Sequence, residues 1–348
     1  MTTERWLEQP DRELMIAALM VRMGHQVEVW AVGEIAAEFN EKDFKIRIFK
    51  PNKKSKKSKY HFSETLVTHA RQFAADLHIL KGVDGGVGTF LLQNYLEPAK
   101  RPFVFIIGGE YYSKYVPGAE IVFYETQMQK QMLQSPGWRF WRKKTPVENL
   151  VRMPKFIDTQ VFCPMEQEPK KWDILIVGRL IPGYKNYDAL DLLSRQFRVA
   201  VAGDGPEESR LRDRCPNVDW LGYIPHLLLP QYYNRSHLFV HTGLRDFYPR
   251  VIAEAMACGL PCIAFDRTIA PEVLPSDCGL LVQQHNFIPP ISELLNDKKR
   301  LREMGQQARE HALKHMGKDA CQKALDKMFL HLEKRQKTDD RRRKTEDR

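Results

Sequence analysis

Long apolar runs are absent. No stretch approaches the ~20 consecutive apolar residues that span a bilayer, and Met1-Thr-Thr-Glu-Arg-Trp6 lacks the apolar centre of a secretory leader. Cysteine is sparse: 6 in 348 residues, scattered, with no Cys-x-x-Cys pair and no Cys/His ligand spacing. That excludes a disulfide framework and a structural metal, and it points to reduced thiols in a cytoplasmic protein. No Gly-x-Gly-x-x-Gly follows a strand at a helix start, which argues against a dinucleotide oxidoreductase. Gly82-Val-Asp-Gly-Gly-Val-Gly88 is rich in glycine but lacks that spacing.

Charge and apolar residues are both plentiful. With 43% hydrophobic residues the chain can build full cores, and its length suits two domains. The net charge of +10 lies partly in Lys53-Lys-Ser-Lys-Lys-Ser-Lys59 and in Arg341-Arg-Arg-Lys344, which read as solvated runs. Trp138-Arg-Phe-Trp-Arg-Lys-Lys144 differs by interleaving aromatics with cations. It reads as a loop packed on the domain surface or as a peripheral contact with anionic lipid at the inner membrane face. No nucleic-acid motif accompanies the charge, so nucleic acid is not an expected partner.

Strand and helix patterns alternate along the chain, which implies mostly parallel sheets covered on both faces. Asp11 to Met23 has helical spacing, and His25 to Val32 and Phe44 to Phe49 read as strands. Helices are expected over Ser63 to Ala75 and Thr89 to Leu96, and strands at Leu77 to Leu80, Pro102 to Ile107 and Ala119 to Tyr124. Thr126 should cap a helix through Leu133. The pattern restarts after Pro164 with a strand from Asp173 to Val177 and ends in helices over Asn296 to Lys314 and Lys318 to Arg335. The expected division is a first domain over 1–165 and a second over 166–318. A helix over 319–335 would pack back on the first domain, and 336–348 would form a disordered basic tail. Met1 to Pro10 contains no strand, although a doubly wound domain normally opens with one. The first strand is expected to be missing, by truncation or because the sheet is built without it.

The most informative segment is Asp246-Phe-Tyr-Pro-Arg-Val-Ile-Ala-Glu254-Ala-Met-Ala-Cys-Gly-Leu-Pro261. Two carboxylates flank a helix start. Pro249 fits the first helical position, Gly259 the position just past the helix end, and Pro261 stops continuation. Carboxylates can hold sugar and ribose hydroxyls, while the open N–H groups of a helix start hold phosphate. Val177-Gly-Arg-Leu-Ile-Pro-Gly-Tyr-Lys185 adds two cations on a loop after a strand, suited to a departing diphosphate. Gly222 in Leu221-Gly-Tyr would let a base lie against a strand end, and Gly203-Asp-Gly-Pro206 reads as a structural turn.

Taken in order, these segments resemble the retaining, metal-independent glycosyltransferases of the GT-B fold, family four (glycosyl transferases group 1). The family's Glu-x7-Glu pattern appears as Asp246 to Glu254, followed by Glu-Ala-Met-Ala-Cys-Gly-Leu-Pro. Gly178, Arg179 and Lys185 match its phosphate loop, and Asp158, Thr159, Phe162 and Pro164 match its hinge. The resemblance implies two Rossmann-like domains facing across a cleft, with a sugar moved from a nucleoside diphosphate to an acceptor with retention. Asp246, Arg179 and Lys185 would be catalytic. Gly178, Glu254, Gly222, Tyr223, Tyr248, Pro249, Arg250 and Val251 would bind the donor, with Glu254 on the ribose. No cofactor and no metal would be required. The acceptor would be lipid-linked or a polysaccharide, in cell-surface polysaccharide or glycolipid synthesis. A non-catalytic nucleotide-sugar-binding or scaffold protein of the same fold is the alternative, and an epimerase of that fold a third reading.

There are departures from the pattern. Asp246 is one methylene shorter than Glu, about 1.5 Å of reach. Gln9-Pro-Asp-Arg12 stands where a Gly-Gly loop is usual, and Gly108, followed by Gly109 and Glu110, where a histidine is usual. Thr268-Ile-Ala270 replaces a glycine pair before Glu272.

Overall fold

The computed structural model describes residues 12–346, apart from 42, 57–59, 82–85, 109–111, 136, 140–141, 245, 247 and 270. The expectations for Met1 to Pro10, Gly109, Glu110, Ala270 and most of the Gly82 to Gly88 loop therefore fall outside the described residues. The chain divides into two compact units. The first joins Met1–Pro154 to Cys321–Arg348, and the second is Lys155–Ala320.

The second unit is a doubly wound parallel sheet. Its strands are β10 (Trp172–Val177), β11 (Val199–Ala202), β12 (Asp219–Gly222), β13 (Ser236–His241), β14 (Cys262–Phe265) and β15 (Gly279–Val282). They lie in the order β12-β11-β10-β13-β14-β15, all parallel. Successive side chains in a strand point to opposite faces, and the two cores obey that period. Leu175, Val177, Ala200, Ala202, Phe239, Cys262 and Ala264 share one core with Ile252 and Met256. Ile174, Ile176, Val199, Val201, Leu238, Val240 and Ile263 share the other with Leu190, Leu193, Ile291 and Leu294. A strand buried on both faces must read as a continuous apolar run, as Ile174–Val177 and Cys262–Phe265 do.

Helices cover both faces: α5 (Tyr187–Ser194), α6 (Glu208–Arg214), α7 (Leu229–Asn234), α8 (Arg250–Ala257), α9 (Ile288–Asn296) and α10 (Lys298–His315). The expected helix from Asn296 is thus preceded by another, over Ile288–Asn296. Asp297 leaves helical geometry and its side chain accepts from Arg300 N, capping the second helix. The expected boundary at 165/166 is also displaced. Residues 155–164 are tied to the second unit: Ile157 N donates to Met316 O at 3.0 Å, and Phe162 is buried in its core. Arg309 donates to the carbonyls of Thr159, Phe162 and Ala257.

The first unit carries α1 (Arg12–Arg22), β1 (Glu28–Val32), β2 (Ala37–Asn40), β3 (Lys45–Phe49), α2 (Glu64–Phe73), β4 (His78–Leu80), α3 (Gly86–Leu91), β5 (Phe103–Ile106), β6 (Ile121–Tyr124), α4 (Gln127–Gln134) and β9 (Leu150–Arg152). Apart from a two-stranded ribbon, its described strands form two sheets, β1-β3-β2 and β4-β5-β6-β9, where one doubly wound sheet is expected. The unexpected β2 runs antiparallel to β3. Thr126 caps α4 in a full capping box with Gln129. Strands β7 (Gly137–Arg139) and β8 (Arg142–Lys144) pair as an antiparallel ribbon.

Helix α11 (Lys318–Glu346) corrects the expected disordered tail. Residues 336–346 contain no Gly or Pro and are rich in Arg and Lys, good helix formers, so charge alone does not stop the helix. Phe329 on α11 stacks on His25 at 4.2 Å, and Arg335 pairs with buried Glu120, both within the first unit.

Candidate donor-binding site

The candidate residues lie at the carboxyl ends of the second unit's strands, where open α/β sheets bind ligands. Gly178 and Arg179 follow β10, and Gly203 follows β11. Gly222 ends β12, and Asp246 lies in the loop between β13 and α8.

Three loops are fastened together by backbone. Gly178 N donates to Ala202 O at 2.9 Å and Gly203 N to Gly222 O at 2.7 Å. Gly203 has φ of +143°, and a Cβ there would collide with the Gly178 carbonyl. Gly205, at φ +155°, likewise has no room beside the Leu180 backbone. The Gly203-Asp-Gly-Pro206 turn is therefore structural, and it shapes the loop that carries Arg179.

A second fastening joins that loop to the segment before α8. Lys185 bridges Gly243, Asn186 N donates to Thr242 O at 2.7 Å, and Leu244 N to Tyr184 O at 3.0 Å. Lys185 Nζ donates to Val177 O at 3.0 Å and lies against Gly178. Burial lowers the Lys185 ammonium to about 8, and the Asp246 carboxylate opposes that shift. The structure thus brings Gly178, Lys185 and Asp246 into one neighbourhood. Asp246 is itself held by its N–H on Thr268 O at 3.0 Å.

Helix α8 starts one residue later than its sequence suggests. Pro249 is extended at φ −68°, ψ 116° and serves as the N-cap, leaving Arg250 as the first helical residue. Among the described residues no side chain caps this end, and its first turn holds no acid. Ile252 N donates back to Pro249 O at 3.2 Å, and the N–H groups at a helix start are the kind that suit an anion. Tyr248 is buried beneath that turn, and Gly259 closes the helix at φ +71°.

Glu254 sits on the buried face of α8 and is only 1% exposed. Tyr233 OH donates to its Oε2 at 2.9 Å, and His226 Nε2 lies 2.8 Å from its Oε1. A carboxylate only accepts when ionised, so that imidazole nitrogen is the donor. Burial first, and Glu254 second, raise the Tyr233 hydroxyl well above its usual range. Gly222 and Tyr223 lie on the chain leading to His226, so the base-side and ribose-side candidates adjoin.

The sequence reading missed His226, Tyr233 and His241. His241 ends β13, is 4% exposed, and has both ring nitrogens without a hydrogen-bond partner among the described residues. Burial, then the Lys185 charge, lower it to about 3, so it is neutral beside the lysine. No local pattern marks these three, because each matters through a partner distant in sequence. Among the described residues, no group of three or more His, Cys, Asp or Glu side chains could hold a metal ion. No helix among them is long and apolar enough to cross a membrane.

Residues 164–311 match the family described as glycosyl transferases group 1. A GDP-mannose-dependent alpha-mannosyltransferase of Mycobacterium tuberculosis is 28% identical over 165 residues, 43% of each chain. This chain spans between 20% and 43% of the length of the first curated relatives that it matches. Among solved structures, sucrose-phosphate synthase from Thermosynechococcus elongatus superposes with a TM-score of 0.71 at 16% identity, covering 91% of each chain. Anabaena Alr3699/HepE in complex with UDP-glucose gives 0.66 at 17% identity, over 90% of this chain and 94% of that one. These likenesses establish the fold as α/β, Rossmann-like and of the GT-B type.

Proposed function

Residues 164–311 belong to the glycosyl transferases group 1, and from that premise we propose that this chain is a retaining glycosyltransferase acting on a nucleoside-diphosphate sugar. One observation supports the reading: the tip of α8, which no described side chain caps, and the buried Lys185, whose charged form the Asp246 carboxylate favours, belong to one loop cluster at the strand ends. The diphosphate lies against the α8 tip, with Arg179 and Lys185 stabilising it as it departs without need of a metal. Asp246 contacts the donor sugar. The base lies against Gly222 and Tyr223, and the ribose hydroxyls reach Glu254. The leaving phosphate oxygen takes the acceptor proton on the same face of the sugar, so the configuration is retained.

Glu254 is enclosed, so something must move for ribose to reach it. Tyr233 lies wholly in the core, whereas His226 rides on the turn His226–Leu228, whose Leu227 and Leu228 are exposed. The ribose therefore displaces His226.

The names of the mycobacterial relative and of the cyanobacterial UDP-glucose complex support a hexose donor on GDP or UDP. The acceptor is a polysaccharide or glycolipid. The basic runs and the aromatic–cationic segment at 137–144 fit an anionic or lipid-linked one.

The test is a thermal-shift panel of UDP, GDP and ADP, followed by donor hydrolysis. A nucleotide at 100 times its dissociation constant should stabilise the second unit by about 2.7 kcal/mol. Arg179→Ala and Glu254→Gln should abolish both the shift and the slow hydrolysis. A chain that none of the three nucleotides stabilises would refute the reading. The enclosure of Glu254 favours one second reading, a nucleotide-sugar-binding protein without turnover. It is adopted if a nucleotide binds while every donor stays intact with polysaccharide and lipid acceptors present.

A further inference from the structure

The connector 155–164 has no expected role in binding or chemistry, yet it sends a cation into the loop before α8. Lys155 is the first residue of the second unit. Its Nζ donates to Tyr248 O at 2.6 Å and lies 5.7 Å from the centroid of the Tyr248 ring. Tyr248 immediately precedes the N-cap Pro249, so the contact is at the mouth of the helix.

The electrostatics there run against ordinary preference. A helix N-terminus carries about half a positive charge and is stabilised by an acid or an acceptor side chain. Among the described residues no side chain caps helix α8 and no acid occupies its first turn, and Arg250 opens it. Lys155 adds a further positive charge to that end. A positive charge beside a positive helix pole suits an incoming anion.

The connector is also rigid. Ile157 N is bonded to Met316 O, Asp158 Oδ1 accepts from Gln160 N at 3.0 Å, and Arg309 holds the Thr159 and Phe162 carbonyls. A cation delivered from such a segment is fixed in place before the ligand arrives, which is the condition for strong electrostatic recognition.

We propose that Lys155 is a positioning residue for the donor diphosphate: it clamps the Tyr248 carbonyl, sets the course of the loop into α8, and adds a fixed positive charge to the anion site. The proposal rests on the reading of that site as a nucleoside-diphosphate site.

The experiment is calorimetric binding of UDP, GDP and ADP, taking the tightest, together with the matching nucleoside, to wild type and to Lys155→Gln, Lys155→Met and Lys155→Arg. The Gln variant keeps an amide donor for the Tyr248 carbonyl and removes the charge. Lys155→Gln and Lys155→Met should weaken the diphosphate roughly tenfold, the scale of one charge-assisted contact. Both should leave nucleoside affinity unchanged, and Lys155→Arg should restore diphosphate affinity. The ligand-free Lys155→Gln protein should melt no lower than wild type. Wild-type diphosphate affinity in Lys155→Gln, or an equal loss for nucleoside and diphosphate, overturns the proposal. A wild-type chain that binds none of the three diphosphates overturns the donor-site reading instead, which separates the two failures.

Discussion

Lys185 shows how one residue can combine the functions of anchor and charge. Its ammonium holds the Val177 carbonyl and faces Asp246, and burial lowers it to about 8. A folded-state value below the unfolded one means that the unfolded chain binds more protons between about pH 8 and 10.5. The penalty of the buried ammonium is therefore present at neutral pH, and stability rises as pH climbs through that window. Ligand binding has the opposite slope, because a diphosphate needs the charged form. Nucleoside-diphosphate affinity should fall as pH passes through about 8, and Lys185→Arg, which stays charged, should remove that fall. Calorimetry between pH 7 and 9.5 checks this, and a flat wild-type profile would contradict it. Residues such as Lys185 and Glu254 could be picked out from their spacing around glycine and proline. Their partners could not, because Val177, Tyr233 and His226 meet them only through the sheet.

Elements were legible where their physics is local. Ser63 caps α2 through Leu66 N, Thr126 caps α4, and Gly259 ends α8, each as its residue type suggests. Misreadings arose where tertiary packing set the boundary. Pro249 sits one step outside α8, β2 is a half-buried edge strand, and α9 was hidden by Pro289 and Pro290, which belong to its first turn. The glycine turn after β11 shows the same dependence. Its sequence signals a turn, but only the fold shows that Gly203 packs against Gly178. Gly203→Ala combines a left-handed backbone with that collision, so it should destabilise the second unit by roughly 1–3 kcal/mol. Nucleotide binding should fall with it, since the same shift displaces the loop bearing Arg179. Urea melts with a matched binding isotherm test this, and unchanged stability would show that the turn has slack.

For the whole molecule, each unit buries a neutral histidine. Burial lowers His241 to about 3 in the second unit and His78 to about 4 in the first, with Lys185 and Arg101 as the lesser causes. The unfolded chain takes up protons at both positions below about 6.5, and the folded chain does so only near 3 and 4. Stability should therefore be lost as pH falls from about 6.5, by about 2 kcal/mol at pH 5 from His241 alone. In His241→Leu the difference between melts at pH 7.5 and pH 5 should shrink by that amount, whatever the variant's absolute stability. An unchanged difference would place the proton uptake elsewhere. The sequence by itself determined the alternation of strand and helix and the start and stop signals around the helix that carries Glu254. Both follow from residue spacing, and spacing acts within a few turns of chain. Only the tertiary structure decided that the connector belongs to the second unit and that His226, Tyr233 and Lys155 stand around the donor-site candidates. Those depend on which distant backbones a closed core brings within hydrogen-bond reach, and no local pattern records that.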